Sequence, residues 1–283
     1  MIPFPIVDTH VHLWDPSHIH YAWLDGVEVL NRSFLPKDFR EHCGPVEVER
    51  IVFLECDCGT DQAQAEADWV TSLAQEDPRI QGLVLHAPLE LGDGARDELD
   101  VLSENGLVKG IRRLIQSESM DFCLDPDFVR GVQLLPDYGF SFDLCIVYPQ
   151  LKNTIQLVQQ CPNVQFILDH IGKPDIKNHI MEPWKTEIEE LAGLPNVWCK
   201  VSGLVTEADM DHWEPAHLRP YIDHVVASFG FDRVIFGGDW PVVYQACEYP
   251  DWVETLEEAV SGCSEAELRK LFYDNAMAFY RLE

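Results

Sequence analysis

Basic residues are scarce in this chain: 20 Lys and Arg stand against 49 Asp and Glu, a formal net charge of −29 over 283 residues. A field of that sign repels nucleic acid and anionic membrane surfaces, so both are excluded as partners. It also slows the approach of an anionic substrate unless arginines act locally. Long apolar runs are missing as well. No stretch approaches the roughly 18 apolar residues of a membrane span. The N-terminus, MIPFPIVDTH, has no basic region followed by an apolar stretch. A soluble, unexported, cytoplasmic protein is the expectation. Close cysteine pairs are nearly absent. Of nine cysteines only Cys56-x-Cys58 stands close together, and it lacks a second pair at zinc-finger spacing. A structural zinc site is therefore not expected, and residues such as Cys145 and Cys199 read as reduced, buried thiols. Low-complexity segments and Gly/Ser/Pro-rich linkers are absent too, so residues 1–283 read as one domain.

What the chain does contain is alternation. Composition is ordinary for a globular protein, 46% apolar and 24% charged. Eight short apolar runs, at 6–13, 50–56, 80–86, 108–114, 140–146, 164–169, 197–202 and 233–238, read as strands. Between them lie helical segments: 61–75 with Thr60 as N-cap, one opened by Asp125-Pro126, 151–160, 183–192, 215–229, 252–260 and 264–280. The last begins with Ser264-x-x-Glu267, a capping-box pattern. The strands are apolar on both faces, as helix-covered parallel strands are. Eight such units predict an α/β fold, a single-domain (β/α)8 TIM-type barrel, which commonly takes about 250 residues. An open doubly wound sheet is disfavoured, because Trp14-Asp15-Pro16 follows the first strand in place of a glycine-rich phosphate loop. The aromatic, irregular stretch 15–39 is expected to fold over the barrel mouth.

Three strand ends carry chemistry. Side chains two apart on a strand point the same way, which places Asp8, His10 and His12 on one face and Val7, Thr9, Val11 and Leu13 on the other. Two buried imidazoles need a metal ion, a substrate or acidic partners. His170 ends the run VQFILDHIGKP, and Asp239 ends RVIFGGDWP. Barrel active sites lie at the C-terminal ends of the strands. Closure brings the first and eighth strands side by side, so His10, His12, His170 and Asp239 converge as three nitrogen ligands and one oxygen.

The motifs VDTHVHLWD, VKGIRRLIQ, LDHIGKP, CKVSGL and FGGDWP together resemble the amidohydrolase superfamily. Within it they resemble the amidohydrolase-2 group of sugar-lactone hydrolases (fuconolactonase- and rhamnonolactonase-like) and pyrone-dicarboxylate lactonase. The resemblance implies hydrolysis of a lactone ring, with His10 and His12 from strand one, His170 from strand six and Asp239 from strand eight. It implies one Zn2+ or other divalent metal on those four residues. Some relatives need no metal, so the ion is not implied to be essential. Two-metal members place a carboxylated Lys or a Glu on strand four, where this chain has Val108-Lys109-Gly110-Ile111-Arg112-Arg113. At most one metal is therefore expected.

Lactone hydrolysis needs an activated water, a polarised carbonyl and a protonated leaving alkoxide. Asp239 is assigned as general base, with His170 and His12 also catalytic. Arg112 or Arg113 is expected to bind substrate; successive strand residues face opposite ways, and the resemblance favours Arg112 inside. Trp23, Tyr21 and Trp240 are candidate walls for a sugar ring, and Glu55 and Tyr148 are further substrate-binding candidates. Lys200 and Lys173 lie near strand ends, Lys173 as a solvated loop residue, and His86 reads as a packing residue. His18, His20, His179, His212, His217 and His224 read as surface or structural. The partner is a small-molecule lactone, and the sequence leaves room for a homo-oligomer. A pyrone-dicarboxylate-type lactonase, a metal-dependent non-oxidative decarboxylase and a non-catalytic metal or sugar-acid binder are the alternatives. Sugar lactones are preferred, because a dicarboxylate needs several cations and this chain has few.

Overall fold

In a computed structural model, which describes residues 2–283, eight parallel strands follow one another in sequence order around a barrel. They are β1 (Ile6–Val11), β2 (Val48–Leu54), β3 (Ile80–Leu85), β4 (Val108–Ile111), β5 (Ser141–Leu144), β6 (Phe166–Leu168), β7 (Val197–Val201) and β8 (Val234–Phe236). Each runs in the same direction as its neighbour. The barrel closes where Val11 pairs with Trp240, the His12 amide donates to the Trp240 carbonyl at 2.7 Å, and the Thr9 hydroxyl donates to the Phe236 carbonyl at 2.7 Å. The (β/α)8 expectation holds, with helices such as Leu151–Gln160, Trp184–Ala192 and Pro215–Phe229 near their predicted limits.

Three local expectations change. First, β1 is not a regular strand. From Asp8 to Val11 it advances three residues while β2 advances two, from Ile51 to Phe53. That bulge reverses the alternation between Asp8 and His10. Asp8 leaves the imidazole face, accepting instead from the Tyr249 hydroxyl at 2.9 Å and the Gly238 amide at 2.8 Å. A Cβ at Gly238 would strike the Asp8 carboxylate and the Tyr249 ring, so glycine alone permits this approach. Second, Thr60 is not an N-cap. The helix Ala63–Glu76 starts after Gln62, whose side-chain amide ties the carbonyls of His20 and Cys58. Third, the C-terminal helix is interrupted. The Ser264–Glu267 box forms, but Lys270–Asp274 is a π turn between Glu265–Arg269 and Asn275–Tyr280. The wider turn re-phases the helix. Leu271 and Phe272 pack among the covering helices, while Ala276, Phe279, Tyr280 and Leu282 join Val7, Val52, Leu54, Val84, Ile167 and Ile235. The C-terminus thus plugs the N-terminal end of the barrel.

At the opposite end, the stretch after β1 folds inward. The Trp14 indole donates to the carbonyls of Leu30 and Arg32, and Trp14 pairs with Phe34 through the backbone. Among the described residues all nine cysteines are unpaired, and no helix is long and apolar enough to cross a membrane.

Candidate active site

His10 and His12 leave the bulged end of β1 and point into the C-terminal mouth of the barrel. His12 Nδ1 lies 2.9 Å from the Leu54 carbonyl. A carbonyl only accepts, so Nδ1 carries the proton and Nε2 is free. That free nitrogen lies 3.6 Å from Asp239 Oδ1, as does His10 Nε2. His10 Nδ1 faces Asp169 Oδ1 at 3.5 Å. His170 follows β6 with φ 53°, its Nδ1 2.9 Å from the Ser202 hydroxyl and its ring centroid 4.3 Å from that of His10. Asp239 follows β8 with φ 55°. Left-handed backbone at residues other than glycine costs on the order of 1–3 kcal/mol each and collects at functional sites. It turns both side chains inward at the strand ends.

A buried ion network braces this cluster from below. Lys200 Nζ lies 2.8 Å from both Asp169 and Asp143, and the Tyr280 hydroxyl from the C-terminal plug donates to Asp143 at 2.8 Å. Arg112 enters from the end of β4. Its Nε donates to Glu55 at 2.7 Å, a second nitrogen donates to the Glu55 carbonyl, and a third lies 3.5 Å from Asp169.

Burial lowers the pKa of His10, and the like charges of His170 and Lys200 add to that against the pull of Asp169. Burial pushes His170 down to about 4, only partly opposed by Asp239. Both imidazoles are therefore neutral near pH 7. For Asp239, burial alone would raise the pKa, but His170, His12 and His10 together hold it below the carboxylate range. Asp169 is likewise raised by burial and brought lower still by Lys200 and His10. The site is an ionised carboxylate facing the neutral imidazoles of His10 and His170.

Such donors suit one divalent cation. His10, His170 and Asp239 each offer an atom within 4.8 Å of the other two, and all three are buried. His12 Nε2 reaches the same carboxylate oxygen as His10 Nε2. His10 Nδ1 makes no geometrically good hydrogen bond although it faces Asp169. An ordered His–carboxylate contact of this kind orients a metal-ligating imidazole.

Above the cluster lies a cavity of about 280 Å³. Its floor is His12, His170, Asp239 and Arg112, and Trp23 forms part of its wall. Other predicted residues lie elsewhere. Arg113 turns to Glu90 at 3.2 Å and Glu118 at 2.7 Å, because strand alternation sends it opposite to Arg112. Trp240 is fully buried against Phe34 and Phe39. Tyr148 is half-buried outside the cavity lining. Tyr21 is buried beside Glu66, away from the cavity lining. Glu55 is taken up by Arg112 and the Asp57 amide, and with His86 it lines an adjoining cleft of about 220 Å³. Lys173, expected in solvent, lines the main cavity with only 18% of its side chain exposed. Gln116, Thr206 and Glu207 were not anticipated, nor was Asp169 as a brace. Asp169 and Gln116 sit inside the motifs LDHIGKP and VKGIRRLIQ, a usable signal; Glu207 had none. A larger apolar cleft of about 460 Å³, lined by Phe4, Pro45 and Pro250 among others, has no imidazole in its lining.

The amidohydrolase family profile matches residues 7–282. The chain belongs to the amidohydrolase family. An L-fucono-1,5-lactonase of Burkholderia multivorans is 30% identical over 98% of this chain and 96% of its own. An L-rhamnono-gamma-lactonase of Scheffersomyces stipitis is 26% identical over 100% of both. A Burkholderia multivorans amidohydrolase crystallised with bound zinc superposes with a TM-score of 0.89 at 27% identity, covering 99% of this chain and 100% of the other. This amidohydrolase therefore shares fold and length with its relatives.

Proposed function

We propose that this amidohydrolase opens the ring ester of a sugar-acid lactone by attack of water. The observation that carries the reading is the convergence of ionised Asp239 with His12 and His170 on the floor of a cavity sized for one small ring, with His10 buried directly against them. Relatives named as sugar-lactone hydrolases, matching over nearly their whole length, support it.

In this reading Asp239 takes the proton of the attacking water. Negative charge then grows on the former carbonyl oxygen, which the fixed guanidinium of Arg112 stabilises without reorganising. Asp239 passes its proton to the departing ring oxygen, and the product is an open-chain hydroxy acid. A divalent cation held by His10, His170 and Asp239, with His12 adjacent, would supply polarisation of the ester carbonyl when bound. The imidazoles are suited to that role because burial keeps His10 and His170 unprotonated.

A pH-indicator assay over a panel of sugar-acid lactones, run on protein as isolated and after chelation, tests the reading. Acid release from one stereochemical subset is expected. No acid from any lactone, with CO2 released from aromatic acids, would replace the reading with decarboxylation. Loss of activity on chelation and its return with a divalent metal would make the ion essential.

A further inference from the structure

One wall of the cavity is built of hydrogen-bonding groups that the hydrolytic cluster does not use. Lys173 stands three residues after His170, in left-handed backbone with φ 49°, which turns its side chain over the pocket. Its ammonium donates to Gln116 Oε1 at 2.6 Å and lies 3.9 Å from Glu207. Gln116 comes from the segment after β4. Glu207 ends the short helix Leu204–Glu207 after β7, beside Thr206, whose hydroxyl donates to the Gly203 carbonyl at 2.9 Å. Three separate strand ends thus supply one patch. Across the cavity the Trp23 indole donates to the Cys56 carbonyl at 2.8 Å, which fixes the ring.

Charge decides what this wall suits. Among the cavity-lining residues, Arg112 and Lys173 face Asp57, Glu207 and Asp239. Arg112 is taken up by Glu55 and Asp169, so no free guanidinium fork remains for a substrate carboxylate. Lys173 sits beside an acid. The wall therefore favours a neutral ligand. It presents an ammonium donor, a carboxylate acceptor and an amide side by side, the pattern that two adjacent hydroxyls satisfy by each accepting from one group and donating to another. A lactone without hydroxyls would desolvate these half-buried groups without satisfying the donors and acceptors that their mutual contacts leave over, and sites of that kind reject the bare analogue strongly.

Resting on the lactonase reading, we infer that Lys173, Glu207 and Gln116 form the hydroxyl-recognition wall that selects a neutral, vicinally hydroxylated lactone over unsubstituted or carboxylated ones. The test compares kcat/KM on the best-turned-over sugar-acid lactone of the panel with that on δ-valerolactone, for wild type, Lys173→Met and Glu207→Gln. Wild type is expected to prefer the hydroxylated ring by about a hundredfold or more. Each variant is expected to reduce that preference, Lys173→Met by about tenfold or more, mainly through KM on the hydroxylated substrate. A wild-type preference below about tenfold overturns the inference without any variant. An undiminished preference in whichever variant is folded by circular dichroism also overturns it, while the lactonase reading stands. No turnover of any lactone by wild type removes that reading, and this inference with it.

Discussion

Asp239 carries its charge in a place that burial alone would forbid, and its neighbours make this tolerable. His10 and His12 both approach its Oδ1 at 3.6 Å. Replacing it by Asn keeps the size and removes the proton acceptor. Asp239→Asn is expected to lower turnover by about two to four orders of magnitude with an unchanged circular dichroism spectrum. Near-normal turnover would remove Asp239 from the base role. Glu66 is the opposite case. It lies under Cys56, whose amide it accepts, and burial with the charge of Glu55 pushes its pKa up to about 8. Folded protein therefore holds a proton there that the unfolded chain has released. The folded state is penalised progressively as pH rises from the ordinary Glu range through about 8. Glu66→Gln is expected to match wild type in denaturant unfolding near pH 5 and to exceed it at pH 9, on the order of 1 kcal/mol or more. Equal stability at both would place the proton elsewhere. Some of this was legible in sequence: His10, His12, His170 and Asp239 were each marked by a strand end. The choice between Arg112 and Arg113 was not, because adjacent strand positions are equivalent until the direction of the pleat is known.

Elements place these residues by departing from regularity. The bulge in β1 puts His10 and His12 in the mouth and sends Asp8 outward to Tyr249. Period-two reading cannot see an inserted residue, which is why Asp8 was grouped with the imidazoles. Gly203, with φ +66°, opens the helix that carries Thr206 and Glu207 and lies directly behind His170. A Cβ there would overlap the His170 ring. Gly203→Ala is expected to cost about 1–3 kcal/mol in urea unfolding and to lower turnover through displaced His170. A variant of wild-type stability and turnover would show that the turn relaxes freely. The π turn at Lys270–Asp274 works by the same logic, since it rotates Tyr280 toward Asp143. A capping box was readable at its start, whereas a five-residue widening has no sequence signature.

At the scale of the whole molecule, closure creates the site. Asp143 from β5, Lys200 from β7 and Asp169 just after β6 meet Tyr280 from the C-terminus inside the barrel, all fully buried. Outside, the surface carries most of an excess of 29 negative charges. Such self-repulsion destabilises the compact state and is screened by salt. Raising ionic strength from about 0.01 M to about 0.1 M shortens the Debye length from about 30 Å to about 10 Å. The melting temperature is expected to rise over that interval, by differential scanning fluorimetry with a monovalent salt. A flat response would mean that local pairing already compensates the acidic surface.

By itself the sequence determined the eightfold β/α alternation, the strand ends that carry His12, His170 and Asp239, and the motifs shared with amidohydrolases. These follow from hydrophobic periodicity and local chemistry, which are written in neighbouring residues. Only the tertiary structure decided that Arg112 faces inward and Arg113 outward. Only it showed that Trp240 is core, that Lys173 is a wall residue, and that Glu207 and Gln116 share the pocket with it. Those facts depend on a bulge, on left-handed turns and on barrel closure, which bring together side chains from distant strands and are encoded in no single segment.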